Sequence, residues 1–528
     1  MLFKRSILSS VDYILLALLL ISPLVAADKK PPNILLAIGD DISWKHFGCY
    51  GSDFIKTPHF DALAKQGVKF MNAYCSAPGC SPSRAALLTG RHIWEIEEAG
   101  THASNFPAHL TVYTEELEKS GYFTGYTGKP WSPGNYAING RKQNPAGPAY
   151  NKRKVKQDEL PGKGMSRSNY AANFEDFIKA NSDNKPFCFW FGAHEAHRKF
   201  EYKSGVKNGK KLKDAIVPGF LPDNEVIRHD MMDYAIEIEY FDKHLGDMIS
   251  FLKEIGEYDN TVIIVTADNG MAFPRAKANN YEYGVRMPLI ISWPQSVPGD
   301  RTVTDFVSLI DLAPTFMEIA GSNVPEIMSG KSLMPQLKSQ ESGLLDASRS
   351  YALTGRERHT HAREENFTYP IRAMHTARFN YIRNLKPERS PVGIELKDVD
   401  GCPTHEYMTQ NRADQLSKIA YGQRPKEELY DKINDPYCLN NLASNPEYRP
   451  LMDDMWKQIQ EDLKEAGDPR FCGYGDIWES YPRYSFTRKY PGFNKSKCYN
   501  PEYVKRALKQ MKAAGIKNDA YESRAKKF

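Results

Sequence analysis

Apolar residues in this 528-residue chain come in short unbroken runs, each halted by small or polar residues. Ile34-Leu35-Leu36-Ala37-Ile38 is framed by Pro31-Pro32-Asn33 and Gly39-Asp40-Asp41. Phe187-Cys188-Phe189-Trp190-Phe191 stops at Gly192, and Thr261-Val262-Ile263-Ile264-Val265-Thr266 runs into Ala267-Asp268-Asn269-Gly270. Runs of this length without alternation predict strands covered on both faces, the habit of parallel sheets flanked by helices. Between the last two runs, residues 230–255 form a long amphipathic helix, and Thr57-Pro58 opens another with proline in its first turn. Residues 83–88 read as helical too, which puts Cys80 at a helix N-terminus, where unpaired amides favour an anion. Strands alternating with helices predict an α/β fold, a large doubly wound mixed sheet with helices on both faces.

The pattern lapses around residues 339–350. Beyond it, Tyr351-Ala352-Leu353-Thr354 and Tyr381-Ile382-Arg383-Asn384 read as short strands, with helices at about 445–466. The expected organisation is a leader over 1–27, a main domain over 28–349, and a smaller C-terminal α+β domain over 350–528 with a four-stranded antiparallel sheet and helices. Residues 135–163 and 203–214, rich in Gly, Pro, Asn and Lys, read as surface loops.

The leader has Lys4-Arg5, an apolar run from Tyr13 to Val25, and small residues at Val25-Ala26-Ala27. That is the plan of a secretory signal peptide cut after Ala27, and the run is short for a span of about 20 residues. The mature protein is expected to be exported, most simply to a bacterial periplasm, without stable membrane insertion. A formal net charge of +5 on 528 residues is too small to suggest a nucleic-acid partner. None of the eight cysteines has the short paired spacing of a zinc site. In an oxidising compartment, disulfides are expected chiefly among Cys402, Cys438, Cys472 and Cys498.

The densest chemical signal is Gly79-Cys80-Ser81-Pro82-Ser83-Arg84, continuing to Leu87-Leu88-Thr89-Gly90-Arg91. It resembles the signature of the type I, formylglycine-dependent sulfatases of the alkaline phosphatase superfamily. Further stretches follow in that family's order: Gly121 to Lys129, Ala196-His197, Thr266 to Gly270, Lys277 to Arg286, and Glu428-Leu429-Tyr430-Asp431. The resemblance implies that a formylglycine-generating enzyme oxidises Cys80 to 3-oxoalanine, whose hydrate attacks sulfur. It implies that Arg84 stabilises that group, that Lys129 and Lys277 contact the sulfate, and that His197 protonates the leaving group. It also implies Ca²⁺ held by Asp40, Asp41, Asp268, Asn269 and the modified Cys80. Four oxygen donors at two strand tips independently suit a hard cation better than zinc.

One departure stands out. Where the family commonly has Trp-His after Gly-Lys, this chain has Pro130-Trp131. His92 and His194 are the candidates to replace that histidine. The implied substrate is a sulfated carbohydrate. His46, His194, Arg198, Arg358 and His359 are expected as contacts to a sugar carrying a carboxylate or second sulfate. The look is closest to sulfamidase-like and bacterial polysaccharide sulfatases, with an ulvan-type algal polysaccharide favoured over N-sulfoglucosamine. The alternatives are a phosphodiester or phosphonate hydrolase of the same superfamily and a non-catalytic carbohydrate-binding paralogue.

Overall fold

The fold is organised about β1 (Asn33–Gly39), which is buried along its whole length. It is hydrogen-bonded in parallel to β4 (Phe187–Gly192) on one side and β5 (Thr261–Ala267) on the other. Cover on both faces accounts for the unbroken apolar runs of all three strands. The computed structural model describes residues 30–485, 487–489, 491, 501–518 and 521–522. The leader and Cys498 lie outside the described residues.

β3 (Phe123–Gly128) pairs in parallel with β4, while β7 (Leu289–Ser292) runs antiparallel to β5. β2 (Val68–Tyr74) is antiparallel to β7 and to the short β6 (Arg286–Met287), and parallel to β8 (Arg301–Ser308). The result is the expected mixed sheet, eight-stranded in the order β3-β4-β1-β5-β7-β2-β6 with β8 beside β2. Gly39 lies opposite Ala267, Ile38 opposite Gly192, and Gly192 opposite Gly128. The chain therefore leaves β1, β3, β4 and β5 along one edge, where open α/β sheets gather ligands. Glycine is required at that edge. A Cβ on Gly128, whose φ is +77°, would lie 2.0 Å from the Gly192 carbonyl oxygen, and one on Gly192 would lie 1.9 Å from that of Lys129.

The long helix spans Glu225–Glu254, starting five residues before its predicted boundary at Asp230. The Asn224 side chain caps it by accepting from the N–H groups of Val226 and Ile227. Residues 203–214 are more ordered than a plain surface loop. Ser204–Lys207 is a helical turn whose N–H at Gly205 donates to Asp233, 2.8 Å away on the long helix.

The second sheet has the antiparallel order β12-β11-β10-β9. Its strands are β9 (Tyr351–Arg356), β10 (Ile371–Thr376), β11 (Phe379–Asn384) and β12 (Glu427–Asp431). The helix Arg449–Glu465 buries Met452, Met455, Ile459 and Leu463, one stripe at helical spacing. The disulfide expectation fails for the cysteines that can be judged. Cys402, Cys438 and Cys472 are free thiols, as are Cys49, Cys75, Cys80 and Cys188. Cys402 instead acts as a helix cap, its sulfur accepting from the His405 N–H at 3.3 Å.

Candidate active site

The register of β1 and β5 delivers two pairs of oxygen-bearing side chains together. Asp40 and Asp41 follow β1, Asp268 and Asn269 follow β5, and all four are wholly buried. Asp268 Oδ1 accepts from the backbone N–H groups of Asp41, at 3.1 Å, and Asn269, at 2.8 Å. Asn269 Nδ2 donates to Asp41 Oδ1 at 2.7 Å, yet its own Oδ1 is buried without a partner. A buried acceptor left unsatisfied costs about 1–3 kcal/mol. Beside carboxylates, the species that would satisfy it is a cation. Asp40, Asp41 and Asp268 offer oxygens all within 4.8 Å of one another, so the cluster can hold a divalent metal. An all-oxygen donor set fits Ca²⁺ or a similarly hard ion.

The helix Cys80–Thr89 begins at this cluster. Cys80 Sγ lies 3.5 Å from Asp40 Oδ1 and 3.9 Å from Asp41 Oδ1. Burial, reinforced by the Asp40 charge, holds the thiol well above its usual range. One turn on, Arg84 Nε donates to Asp268 Oδ2 and Nη1 to the Lys129 carbonyl, both at 2.7 Å. Arg84 Nη2 is buried with no partner. Lys129 is ion-paired with Asp40, and Lys277 Nζ lies 2.6 Å from Asp41 Oδ2. Each carboxylate thus faces one cation. Burial nevertheless raises the Asp41 and Asp268 carboxyls to about 6. At Asp40 it is outweighed by Lys129 and its neighbours, which hold that carboxyl well below the usual range.

Outward from the cluster is a cavity of about 640 Å³, whose wall includes Asp40, Lys129 and His197. His197 Nδ1 is 2.7 Å from the Arg198 carbonyl oxygen. That carbonyl can only accept, so in the neutral ring the proton sits on Nδ1. Burial, then Lys277 and Lys129, lowers this histidine to about 4. His194 also lines the cavity, and burial lowers it to about 4.

The other expected sugar contacts are placed differently. Arg198 reaches the wall, but its guanidinium is engaged by Asp230, with Nη2 at 3.0 Å from Oδ2. Arg358 is buried and donates to the Tyr481 and Pro482 carbonyls, away from the wall. His46 is a core side chain, with Nδ1 3.1 Å from the Tyr234 hydroxyl. His92 stacks on Trp94 at 4.4 Å and does not line the cavity. His359 sits just behind the wall, 4.5 Å from the His102 ring and 3.3 Å from Arg488 Nη2.

Among the ionisable wall residues, sequence reasoning missed four, His102, Glu237, Asp400 and Arg488. Asp400 links two elements, its Oδ1 2.9 Å from Arg488 Nη1 and its Oδ2 3.7 Å from Lys277 Nζ. Glu195 accepts from the Tyr170 hydroxyl at 2.7 Å and the Ser166 N–H at 2.9 Å, and burial raises it to about 7. Glu237 is raised well above the carboxylate range by burial and by Glu195.

Residues 32–322, more than half of the chain, match the Sulfatase family. The chain belongs to the sulfatase family. Residues 276–389 further match the family described as N-sulphoglucosamine sulphohydrolase, C-terminal. This sulfatase is 28% identical over 449 residues to an "Ulvan-active sulfatase" of Formosa agariphila, covering 84% of the chain and 82% of the relative. It is 27% identical over 515 residues to the human "N-sulphoglucosamine sulphohydrolase", covering 88% and 95%. A solved complex with D-glucosamine-2-N,6-O-disulfate, the substrate of that protein, shares the fold at TM-score 0.60 and 20% identity, covering 83% and 99%. The phosphonate monoester hydrolase of Agrobacterium radiobacter shares it at TM-score 0.60 and 17% identity, covering 82% and 96%. Membership of the family makes this sulfatase a sulfuric ester hydrolase. No described helix is long and apolar enough to cross a membrane.

Proposed function

We propose that this sulfatase is an exported, Ca²⁺-dependent enzyme that removes sulfate esters from a polysaccharide or its oligosaccharides, acting through formylglycine at position 80. The observation that carries the reading is the meeting of Cys80, Arg84, Lys129 and Lys277 with four oxygen ligands at two strand tips. The state of Cys80 supports it. A thiol held protonated by burial is a poor nucleophile, so the position has little use as an ordinary cysteine.

Formylglycine, as its hydrate, would supply a hydroxyl nucleophile and a second hydroxyl able to expel sulfate afterwards. Ca²⁺, held by Asp40, Asp41, Asp268 and Asn269, would draw charge from the sulfate oxygens. Arg84, with a free buried Nη2, orients the modified side chain from one helical turn away. Lys129 and Lys277 grip the sulfate as they now grip Asp40 and Asp41. His197 gives its proton to the departing sugar oxygen. Burial, then Lys277 and Lys129, holds the ring neutral, and a sulfate between those lysines would add negative charge that favours the imidazolium.

Ulvan-type material is favoured as substrate because two ulvan-active relatives match most of the chain, at 26% and 28% identity. A second reading, N-sulfoglucosamine hydrolysis, draws on the C-terminal family match over 276–389 and the human relative. One preparation tests the chemistry. The peptide containing Cys80 should weigh about 18 Da less than its unmodified form. The protein should also cleave an aryl sulfate faster than an aryl phosphodiester. Faster cleavage of the diester would overturn the sulfatase chemistry, and an unmodified thiol in fully active protein would overturn the nucleophile.

A further inference from the structure

The cavity is strongly cationic at one end only. Lys129, with Arg84 and Lys277 behind it, belongs to the sulfate. Two other arginines reach the wall, and each is already answered by a carboxylate. Arg198 is paired with Asp230 and sandwiched between the rings of Phe200, at 4.2 Å, and Phe273, at 4.3 Å, while its Nε donates to the Ala272 carbonyl. Arg488 Nη1 lies 2.9 Å from Asp400 Oδ1. Beyond the proton donor His197, the rest of the polar wall is made of His102 and His194, both held below the usual imidazole range by burial, and of the carboxyls and small hydroxyls of Glu195, Glu237, Ser132, Ser166, Ser485 and Thr487.

Glu237 is the unusual member. It projects from the middle of the long helix, is 3% exposed, and has no hydrogen bond or ion pair among the described residues. Its carboxyl opens onto the cavity, where a donor group of a bound ligand can pair with it. The groups that can do so in a carbohydrate pocket are hydroxyls and N–H donors. A second sulfate or a carboxylate on the same ring would instead be buried beside two acidic side chains, with no further arginine or lysine lacking a carboxylate partner among the described wall residues. An unpaired buried charge costs several kcal/mol.

We infer that the sugar ring seated in this cavity carries the scissile sulfate as its one anionic group, and that Glu237 binds a hydroxyl or N–H of that ring. The inference rests on the sulfatase reading for the place of the sulfate. It reverses the sequence expectation, in which Arg198 and Arg358 would read a second anion.

Calorimetric titration of the full-length Cys80→Ala protein, which binds without turnover, tests it. The probes are N-acetylglucosamine 6-sulfate, galactose 6-sulfate, rhamnose 3-sulfate and glucosamine 2-N,6-O-disulfate. The tightest singly sulfated sugar should bind at least about tenfold more tightly than the disulfate. Adding Glu237→Leu should weaken that sugar by about tenfold, whereas Glu237→Gln, which keeps a hydrogen-bonding group, should weaken it by less than about threefold. Equal or tighter binding of the disulfate overturns the inference, as does the absence of binding by every singly sulfated sugar. An unchanged affinity in folded Glu237→Leu protein also overturns it. Hydrolysis of 4-nitrophenyl sulfate by the matured wild-type protein is measured alongside. Its absence counts against the sulfatase reading alone, because the binding preference is measured without turnover.

Discussion

Replacing Asp268 by alanine removes a proposed metal ligand and strands a buried cation in the same stroke. Arg84 and Asp268 are both wholly inaccessible, and the Nε–Oδ2 contact of 2.7 Å is the one ion pair the guanidinium makes among the described residues. Deleting one partner of a buried pair costs about 3–5 kcal/mol, most of it the unpaired charge left behind. The lost acceptor for the Asp41 and Asn269 N–H groups adds to this. Asp268→Ala should therefore unfold at markedly lower urea concentration, whether or not Ca²⁺ is present. Arg84→Met in the same chain removes the stranded charge, so the double variant should recover on the order of 2 kcal/mol relative to the sum of the single losses. Tryptophan fluorescence during urea unfolding, run with chelator and again with excess Ca²⁺, supplies all four corners of the cycle. Additivity within about 0.5 kcal/mol in both conditions would refute the argument that charge burial, rather than loss of the ion, sets the cost.

Cys80→Ala should abolish turnover with little change in thermal midpoint, and Cys80→Ser should be equally inactive, since a plain serine lacks the second hydroxyl. Full residual activity in either would remove position 80 from the chemistry. His197→Ala should lose about 10²–10⁴-fold on a sulfated saccharide but far less on 4-nitrophenyl sulfate, whose leaving group needs no proton. Equal losses on both substrates would take the acid role from His197. Chelation of the wild type should lower its thermal midpoint, and added Ca²⁺ should restore it. A midpoint indifferent to verified metal removal would exclude the ion from the strand-tip cluster. Acid should destabilise the protein in a definite window. Burial alone would raise Asp398 and Glu479, but Arg363 and Arg356 at the first, and Arg470 and Arg389 at the second, bring both carboxyls down to about 2. Their folded values lie below the unfolded ones of about 4, so the stability they confer is complete above that pH and is lost on descent toward 2. Melting between pH 7 and 3 should show a fall that is shallower in Glu479→Gln, and an equal slope would refute this.

The oxygen cluster was legible because each pair of ligands is contiguous and directly follows an apolar run. Strand tips of a parallel sheet then bring Asp40-Asp41 and Asp268-Asn269 together without further information. The same holds for Cys80 and Arg84, joined by one helical turn. The rest of the cavity lacked any such local mark. Glu237 lies in the fourth turn of a helix that looks ordinary, and Asp400 and Arg488 come from stretches with no recognisable motif. Arg198, Arg358 and His46 were misread for a related reason. Sequence shows a charge or a ring but not its partner, and those partners are Asp230, the Tyr481 carbonyl and Tyr234. The cysteines were overread as disulfides because compartment and count carry no geometry.

The cavity wall divides along the chain in a way that bears on how such proteins diversify. The proposed nucleophile position, sulfate-gripping lysines, proton donor and four oxygen ligands lie before residue 280. Asp400, Ser485, Thr487 and Arg488 come after residue 389, where the second family match ends. One side of the wall is therefore carried on a length of polypeptide apart from the proposed reacting groups, while Glu195, Arg198 and Glu237 share their length with them. Exchange or drift of Ser485, Thr487 and Arg488 can retune one side of the cavity without replacing a reacting group, whereas a change at Asp400 would be felt at Lys277 as well.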